Sequence, residues 1–182
     1  MVATAKKVMV PAGPHEFVMQ IAIGRPVGEV YPLLDLSDPR HAKRQLGGRL
    51  EPTGSQPRQF ALIVSELPDA VFTLTVTHEA PEREYGYTCE AKPLFGRVAR
   101  SHEHYALHPS GGDGCRIVLT HTVTFGAPLC HQAYGLEAMM LTFANYSALL
   151  KIKLHAEEGA EAVRSLMAAQ QAAFEEIGCD AD

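Results

Sequence analysis

A long alternation of apolar and polar residues, followed by a long helical pattern, is the feature that most constrains this fold. Between residues 49 and 125 apolar side chains recur with a period of two, which predicts strands with one buried face. Clusters of Gly, Pro, Ser and Asp divide this stretch into six candidate strands, at 48–53, 58–66, 70–79, 83–91, 97–108 and 115–125. Because connections this short join antiparallel neighbours, we predict a meander of hairpins.

The segment before this stretch predicts one more strand and two short helices. Residues 16–24 (EFVMQIAIG) are rich in Val, Ile and Phe and indicate a strand. Pro26 suits the first turn of one helix, and Ser37 or Asp38 can cap a second that stops at Gly47 and Gly48. The predicted fold class is therefore α+β, a seven-stranded antiparallel sheet with two short helices between strands one and two.

The end of the chain, from about residue 132 to 177, has a helical pattern. An apolar stripe with i, i+3, i+4 and i+7 spacing, which we expect to cover the sheet, runs through Leu136, Met140, Phe143, Ser147, Leu150 and Leu154. A second apolar set follows Gly159 and lies on another side of a continuous helix. We therefore expect either a break near Gly159 or a homodimer contact through residues 160–177.

Length and charge limit the remaining possibilities. A chain of 182 residues with 46% hydrophobic residues is expected to form one domain. We divide it into an irregular leader (1–15), a main domain (16–157) and a helical extension of the same domain (158–182). The net charge of -5 and the lack of a long basic run argue against a nucleic-acid partner.

Location is predicted from hydropathy and from cysteine spacing. The sequence holds no apolar run of about 18 residues, so no membrane span is expected. Its four cysteines share no short spacing that would indicate a zinc knuckle or a redox pair. Reduced thiols that pack as small apolar groups suit a cytoplasmic protein.

Three stretches carry a family resemblance across residues 16–157. They are IAIGRPVGEVYPLLDLSDPRH, HYALHPSGGDGCRIVLTHTVTF and the long terminal helix. In this order they resemble the START-related helix-grip superfamily (SRPBCC), which includes polyketide cyclase/dehydrase-like and birch-pollen-allergen-like branches. The resemblance implies a curved sheet wrapped around the C-terminal helix, with a cavity between them for a mostly apolar ligand. Residues 38–43 (DPRHAK) depart from it, because many members carry an aromatic residue there.

Strand alternation predicts which side chains face inward. Folding the last hairpin about Gly111 pairs Glu103 with Leu119, so Glu103 points inward while His102 and His104 point outward. The same parity brings polar groups together on the inner face: His78, Tyr85, Tyr87, Ser101, Glu103 and His121. We expect ligand contacts from these six and from four more residues, Tyr105, Leu119, Met140 and Phe143.

The stretch SHEHYALH (101–108) raises two chemical hypotheses. Glu103 and His121 could serve as a catalytic acid/base pair, or they could satisfy each other and hold the polar end of a ligand. A metal site is not expected, since alternation puts Glu103 on the opposite face from His102 and His104. No GxSxG, HExxH, P-loop or GxGxxG motif is present, and no cofactor is expected.

Three functions remain open from the sequence. The first is a protein that binds a small hydrophobic molecule, such as a lipid, a polyketide-like aromatic compound or an isoprenoid. The second is an enzyme of the cyclase or dehydratase kind that uses Glu103 and His121. The third is a protein-interaction module that uses residues 160–177.

Overall fold

The computed structural model describes residues 8–64, 69–94 and 96–179, with side chains as far as residue 172. The strands are β1 (Met9–Val10), β2 (His15–Ile23), β3 (Arg49–Pro52), β4 (Gln59–Ile63), β5 (Val71–Ala80), β6 (Glu84–Lys92), β7 (Val98–Ser110), β8 (Gly114–Phe125) and β9 (Leu129–Cys130). The helices are α1 (Val27–Val30), α2 (Ala42–Gln45), α3 (His131–Glu158) and α4 (Ala160–Cys179), with a 3-10 turn at Tyr31–Leu33. Residues 1–7 of the predicted leader, 65–66 of one predicted strand and 180–182 of the predicted extension lie outside the described residues.

Seven strands form one sheet in the order β2-β8-β7-β6-β5-β4-β3. Every neighbouring pair is antiparallel, and α1 and α2 lie between β2 and β3 in the chain. The predicted α+β fold, with its seven-stranded sheet, two short helices and long C-terminal helix, is confirmed.

A second, two-stranded sheet was not predicted. Met9 pairs with Cys130 and Val10 with Leu129, so β1 lies within the segment expected to be an irregular leader. Strand β2 also begins at His15, inside the same segment. Two residues are too few to show an alternation, and this is why the sequence pattern missed β1.

The core lies on the inner face of the sheet. Along β8 every second side chain is buried, as strand alternation requires, and the core members include Ile117, Leu119 and Phe125. Helix α3 covers Ile117 and Leu119 with Leu149 and Ile152, whereas Phe125 belongs to a smaller cluster with Val123 and Leu129. Each such side chain contributes about 1.5–3 kcal/mol when fully buried.

Helix α3 presents a different face to the sheet from the one predicted. Its buried residues are Asn145, Leu149, Ile152 and His155. Met140 and Phe143, which were expected inside, are 62% and 72% exposed. Two of the four buried positions are polar, whereas the opposite side carries large apolar residues, so hydrophobic periodicity selected the wrong stripe.

The C-terminal helix breaks where expected. Gly159 has a φ of 92° and ends α3, and α4 begins at Ala160. Val163 of α4 is fully buried, and Arg164 donates from Nη1 to the Gln45 backbone oxygen at 2.7 Å. The first turns of α4 therefore pack beside α2. In the described part of the chain, no helix combines the length and hydropathy needed to cross a membrane.

Candidate ligand-binding cavity

A cavity of about 630 Å³ lies between the inner face of the sheet, α3 and the region of α2. Strands β6, β7 and β8 supply one wall, and α3 supplies another. Its volume falls within the range of sites for small organic molecules. The lining residues are Leu33, Leu34, His41, Ala42, Lys43, Leu46, Gly48, Val64, Tyr87, Glu103, Tyr105, Leu119, His121, Leu141, Phe143, Ala144, Asn145, Ser147, Ala148, Lys151, Ile152 and Met167.

A carboxylate held by two tyrosines forms the polar centre of the cavity wall. Glu103 of β7 lies opposite Tyr87 of β6, and Tyr105 shares its face two residues along. The Tyr87 hydroxyl donates to Glu103 Oε2 at 2.6 Å, and the Tyr105 hydroxyl donates to the same oxygen at 2.5 Å. Such short bonds to an ionised acceptor are the stronger kind of hydrogen bond.

These contacts determine the charge of the group. Burial alone would raise the pKa of Glu103, but Lys43, His121 and the two hydroxyl donors outweigh it and lower that pKa below its usual value. Burial first, and then the neighbouring charge of Glu103, raise the pKa of Tyr87 and of Tyr105 well above normal. Glu103 is therefore a carboxylate near neutral pH, and both hydroxyls keep their protons.

A buried histidine and asparagine form a second polar pair on the wall. His121 of β8 lies opposite Glu103, and its Nδ1 is 2.9 Å from Asn145 Oδ1 of α3. Among the described residues, His121 Nε2 and Asn145 Nδ2 have no hydrogen-bond partner. When the imidazole is neutral, the pair retains one unused donor group and one unused acceptor, whichever way the amide is turned.

The α2 side of the cavity is polar as well. His41 caps α2, its Nδ1 accepting from the Lys43 backbone N–H at 3.2 Å. Burial, with the nearby charges of Lys43 and Arg44, lowers the pKa of His41 to about 3, so the imidazole is neutral. Lys43 also lines the cavity, and its positive charge is one of the contributions that lower the pKa of Glu103.

Six of the ten predicted contact residues line this cavity: Tyr87, Glu103, Tyr105, Leu119, His121 and Phe143. The other four, Ser101, Tyr85, His78 and Met140, do not. Ser101 is buried beside Cys89, with which it pairs across the strands. The Tyr85 hydroxyl accepts from the Leu36 backbone N–H at 3.0 Å, so Tyr85 ties the sheet to the helical region.

His78 lies on the outer face, contrary to the prediction. The register of β5 against β6 shifts between Val76 and His78, so that Val76 pairs with Tyr87 but His78 pairs with Gly86. A β-bulge adds one residue to one strand and so reverses the side on which the following residues lie. Alternation continued through the bulge gave the wrong face.

The register of the last hairpin also differs from the prediction. Ser110 pairs with Gly114, so the turn is centred one residue later than expected. Glu103 therefore faces His121, and Leu119 faces Tyr105. A shift of two positions keeps every side chain on its predicted face, so Glu103 does point inward.

His41, Lys43 and Asn145 were not anticipated. Asn145 lies on the helix face that periodicity assigned to solvent. His41 and Lys43 belong to the polar segment 38–43, where many members of the family carry an aromatic residue. That difference was the one sequence signal that this segment could contribute polar groups to the cavity.

Comparisons with known proteins test the fold. No family model matches the chain, and no curated protein sequence matches it. Among solved structures, the chain is similar to Ara h 8.0201, with 13% identity, a TM-score of 0.56, and coverage of 86% of this chain and 99% of that one. It is also similar to a START superfamily protein from Mycobacterium smegmatis, with 13% identity, a TM-score of 0.52, and coverage of 83% and 95%.

The chain has the START-like helix-grip fold. The resemblance expected from the sequence is thus confirmed as a likeness of fold. A third similar structure is DynU16, a protein of the dynemicin biosynthetic locus, with 17% identity and a TM-score of 0.56. The match covers 79% of this helix-grip chain, which spans 48% of DynU16.

Proposed function

We propose that this helix-grip protein binds a small, mostly apolar molecule whose polar end meets the carboxylate and imidazole groups of the cavity wall. The observation that carries the proposal is a cavity of about 630 Å³ whose wall includes Glu103, His121 and Asn145. Aliphatic residues such as Leu33, Leu119 and Ile152 supply most of the remaining surface. A lipid, a polyketide-like aromatic compound or an isoprenoid has this combination of an apolar body and a polar end.

The unused atoms of the His121 and Asn145 pair support a polar end that both donates and accepts. Buried polar atoms without partners cost about 1–3 kcal/mol each, and a ligand hydroxyl that bonds both would recover part of that cost. Lys43 and Glu103 carry opposite charges on the same cavity, so their sum favours a neutral polar group over an ion.

A matched pair of variants tests the proposal. Ala148 lines the cavity and is exposed, which places it at the rim, whereas Thr142 is exposed on the same helix and outside the lining. We expect Ala148→Trp to abolish binding of the neutral fluorescent probe N-phenyl-1-naphthylamine, and Thr142→Trp to leave it unchanged. Native mass spectrometry of freshly purified protein identifies any bound molecule. Equal binding by both variants, or none by the wild type, would overturn the proposal.

A second candidate function is acid/base catalysis of the cyclase or dehydratase kind. It is favoured by the position of Glu103 opposite His121 on the cavity wall, where both side chains can reach a bound molecule. In such a reaction His121 would transfer a second proton. Glu103→Gln should then abolish turnover of the molecule found by mass spectrometry while probe binding persists. Retained turnover would exclude this role. A cytoplasmic location stays a prediction.

A further inference from the structure

Two histidines and a glutamate meet on the outer face of the sheet, away from the cavity. His78 of β5 and His104 of β7 both pair with Gly86 of β6, so the three residues form one row across three strands. The bulge after Val76 is what turns His78 to this face. The row was not recognised from the sequence, because alternation had placed His78 inside.

The glycine at the centre of the row lets the two imidazoles approach. Their ring centroids are 5.6 Å apart, although their strands are separated by β6. A Cβ at position 86 would lie 3.3 Å from His104 Cδ2 and 3.4 Å from His78 Cβ, so a side chain there would crowd both residues. The absence of a side chain at Gly86 therefore makes the juxtaposition possible.

Glu84 supplies the third group. It lies two residues from Gly86 on the same face of β6. Its Oε2 is 2.7 Å from His78 Nε2 and 3.6 Å from His104 Nε2. Both ring nitrogens therefore point at the same carboxylate.

We propose that His78, Glu84 and His104 bind a divalent transition-metal ion of the zinc, nickel or copper class. Their ligand atoms all lie within 4.8 Å of one another. A tetrahedral zinc ion with bonds of 2.0–2.1 Å needs ligand atoms roughly 3.3 Å apart. Binding therefore requires the most distant pair to close by up to about 1.5 Å, while Glu84 Oε2 and His78 Nε2 move apart from their present 2.7 Å. They can do so, because His78, Glu84 and His104 are 47%, 43% and 29% exposed.

The ligand chemistry selects this class of ion. Imidazole nitrogens favour zinc, nickel and copper over magnesium and calcium, which prefer oxygen. Three protein ligands leave a position for water, which the exposure of the site can supply. The neighbouring His102 on this face is engaged elsewhere, since its Nε2 is 2.9 Å from Thr77 Oγ1.

The three residues provide surface variants that should fold, and His102 provides a control. Calorimetric titration of chelator-treated protein with ZnCl₂ should show one site. His78→Ala, His104→Ala and Glu84→Gln should each weaken it by at least about tenfold, because loss of a group that only supports a metal ligand already costs about 10–100-fold in affinity. His102→Ala should leave it unchanged, although it removes a histidine from the same face and strand.

The spectrum of bound copper gives a second measurement. Cu²⁺ added to the wild type should show couplings from two nitrogens in electron paramagnetic resonance, and His104→Ala should reduce them to one. Absence of a wild-type site for Zn²⁺ or Cu²⁺ would overturn the proposal. So would unchanged affinity in the His78→Ala variant, or an equal loss in the His102→Ala variant, and the three residues would then form a surface ion pair only.

Discussion

The hydrogen bonds from Tyr87 and Tyr105 to Glu103 provide the sharpest test of the cavity wall. Tyr87→Phe removes one of two donors to the carboxylate without removing the aromatic ring. A hydrogen bond to a charged group contributes about 1.5–3 kcal/mol, so we expect the free energy of unfolding near neutral pH to fall by about 2 kcal/mol. Tyr105→Phe should cost a similar amount, because its bond to the same oxygen is equally short.

The double variant should cost less than the sum of the two single variants. A buried carboxylate without donors takes up a proton and so avoids part of the penalty of remaining charged. The pKa of Glu103 should accordingly rise in each single variant and rise further in the double variant. Carboxyl carbon chemical shifts, followed through a pH titration, measure this change directly.

The pH dependence of stability follows from the direction of the Glu103 shift. The folded state lowers this pKa, so the carboxylate contributes stability above the unfolded pKa of about 4.3, and that stability is lost as the pH falls through the folded value. The difference between the wild type and Tyr87→Phe should therefore shrink in acid. Urea denaturation at several pH values gives these free energies.

Tyr31→Phe is the control for this experiment. The Tyr31 hydroxyl is buried and has no hydrogen-bond partner among the described residues, so its removal should be neutral or stabilising. If Tyr87→Phe costs no more than Tyr31→Phe near neutral pH, or if its cost is independent of pH, the assignment of an ionised, doubly bonded Glu103 is wrong.

Three further predictions concern the helices. Gly159→Ala should destabilise the protein by about 1–3 kcal/mol in thermal or urea denaturation, because the backbone conformation at Gly159 is nearly restricted to glycine. Gly135→Ala within α3 should instead stabilise the protein by about 0.5–1 kcal/mol, because alanine favours the helical conformation more than glycine does. The two variants must change the free energy of unfolding in opposite directions, because neither added methyl group meets a neighbouring atom and only the backbone conformation differs between the two sites. Phe143→Ser should change the free energy of unfolding by less than about 0.5 kcal/mol, against about 3–5 kcal/mol for a core phenylalanine; a large loss would mean that α3 is turned as the sequence suggested. If residues 160–177 hold a homodimer, ending the chain after Glu158 should halve the mass seen by light scattering, and an unchanged mass would remove that prediction.

Most of the fold and the centre of the site could be predicted from the sequence. Strand alternation gave the correct faces for Glu103, His121, Tyr87 and Tyr105, because the observed register of the last hairpin differs from the predicted one by two positions, which leaves each face unchanged. The partner of Glu103 required the register, which the Gly-rich turn left uncertain by two positions. Strand alternation therefore identified the inward residues, but the structure was needed to show which of them lie opposite one another.

The errors have identifiable physical causes. His78 was misplaced because one added residue in β5 reverses the face, and a bulge has no alternation signal of its own. Met140 was misplaced, and Phe143 lines the cavity but is largely exposed instead of buried in the core, because α3 buries Asn145 and His155 while exposing larger apolar groups. Asn145 lines the cavity and His155 contacts Gln45, so the buried stripe of α3 includes polar residues that a search for apolar periodicity does not detect.

Strands β6 and β7 carry the cavity wall on one side and the proposed metal ligands on the other, in consecutive residues. Glu103 and His104 are neighbours in the chain, and their side chains point to opposite faces of β7. On β6, Tyr87 of the cavity wall follows Gly86, whose lack of a side chain makes room for the two imidazoles on the other face. A deletion of one residue from β7 would therefore exchange the two surfaces, bringing an imidazole into the cavity and a carboxylate to the outside. Because the same strands form both surfaces, a change of register in one surface is also a change of register in the other. An insertion or deletion in these strands is therefore expected to disrupt both sites, whereas a substitution can alter either site alone.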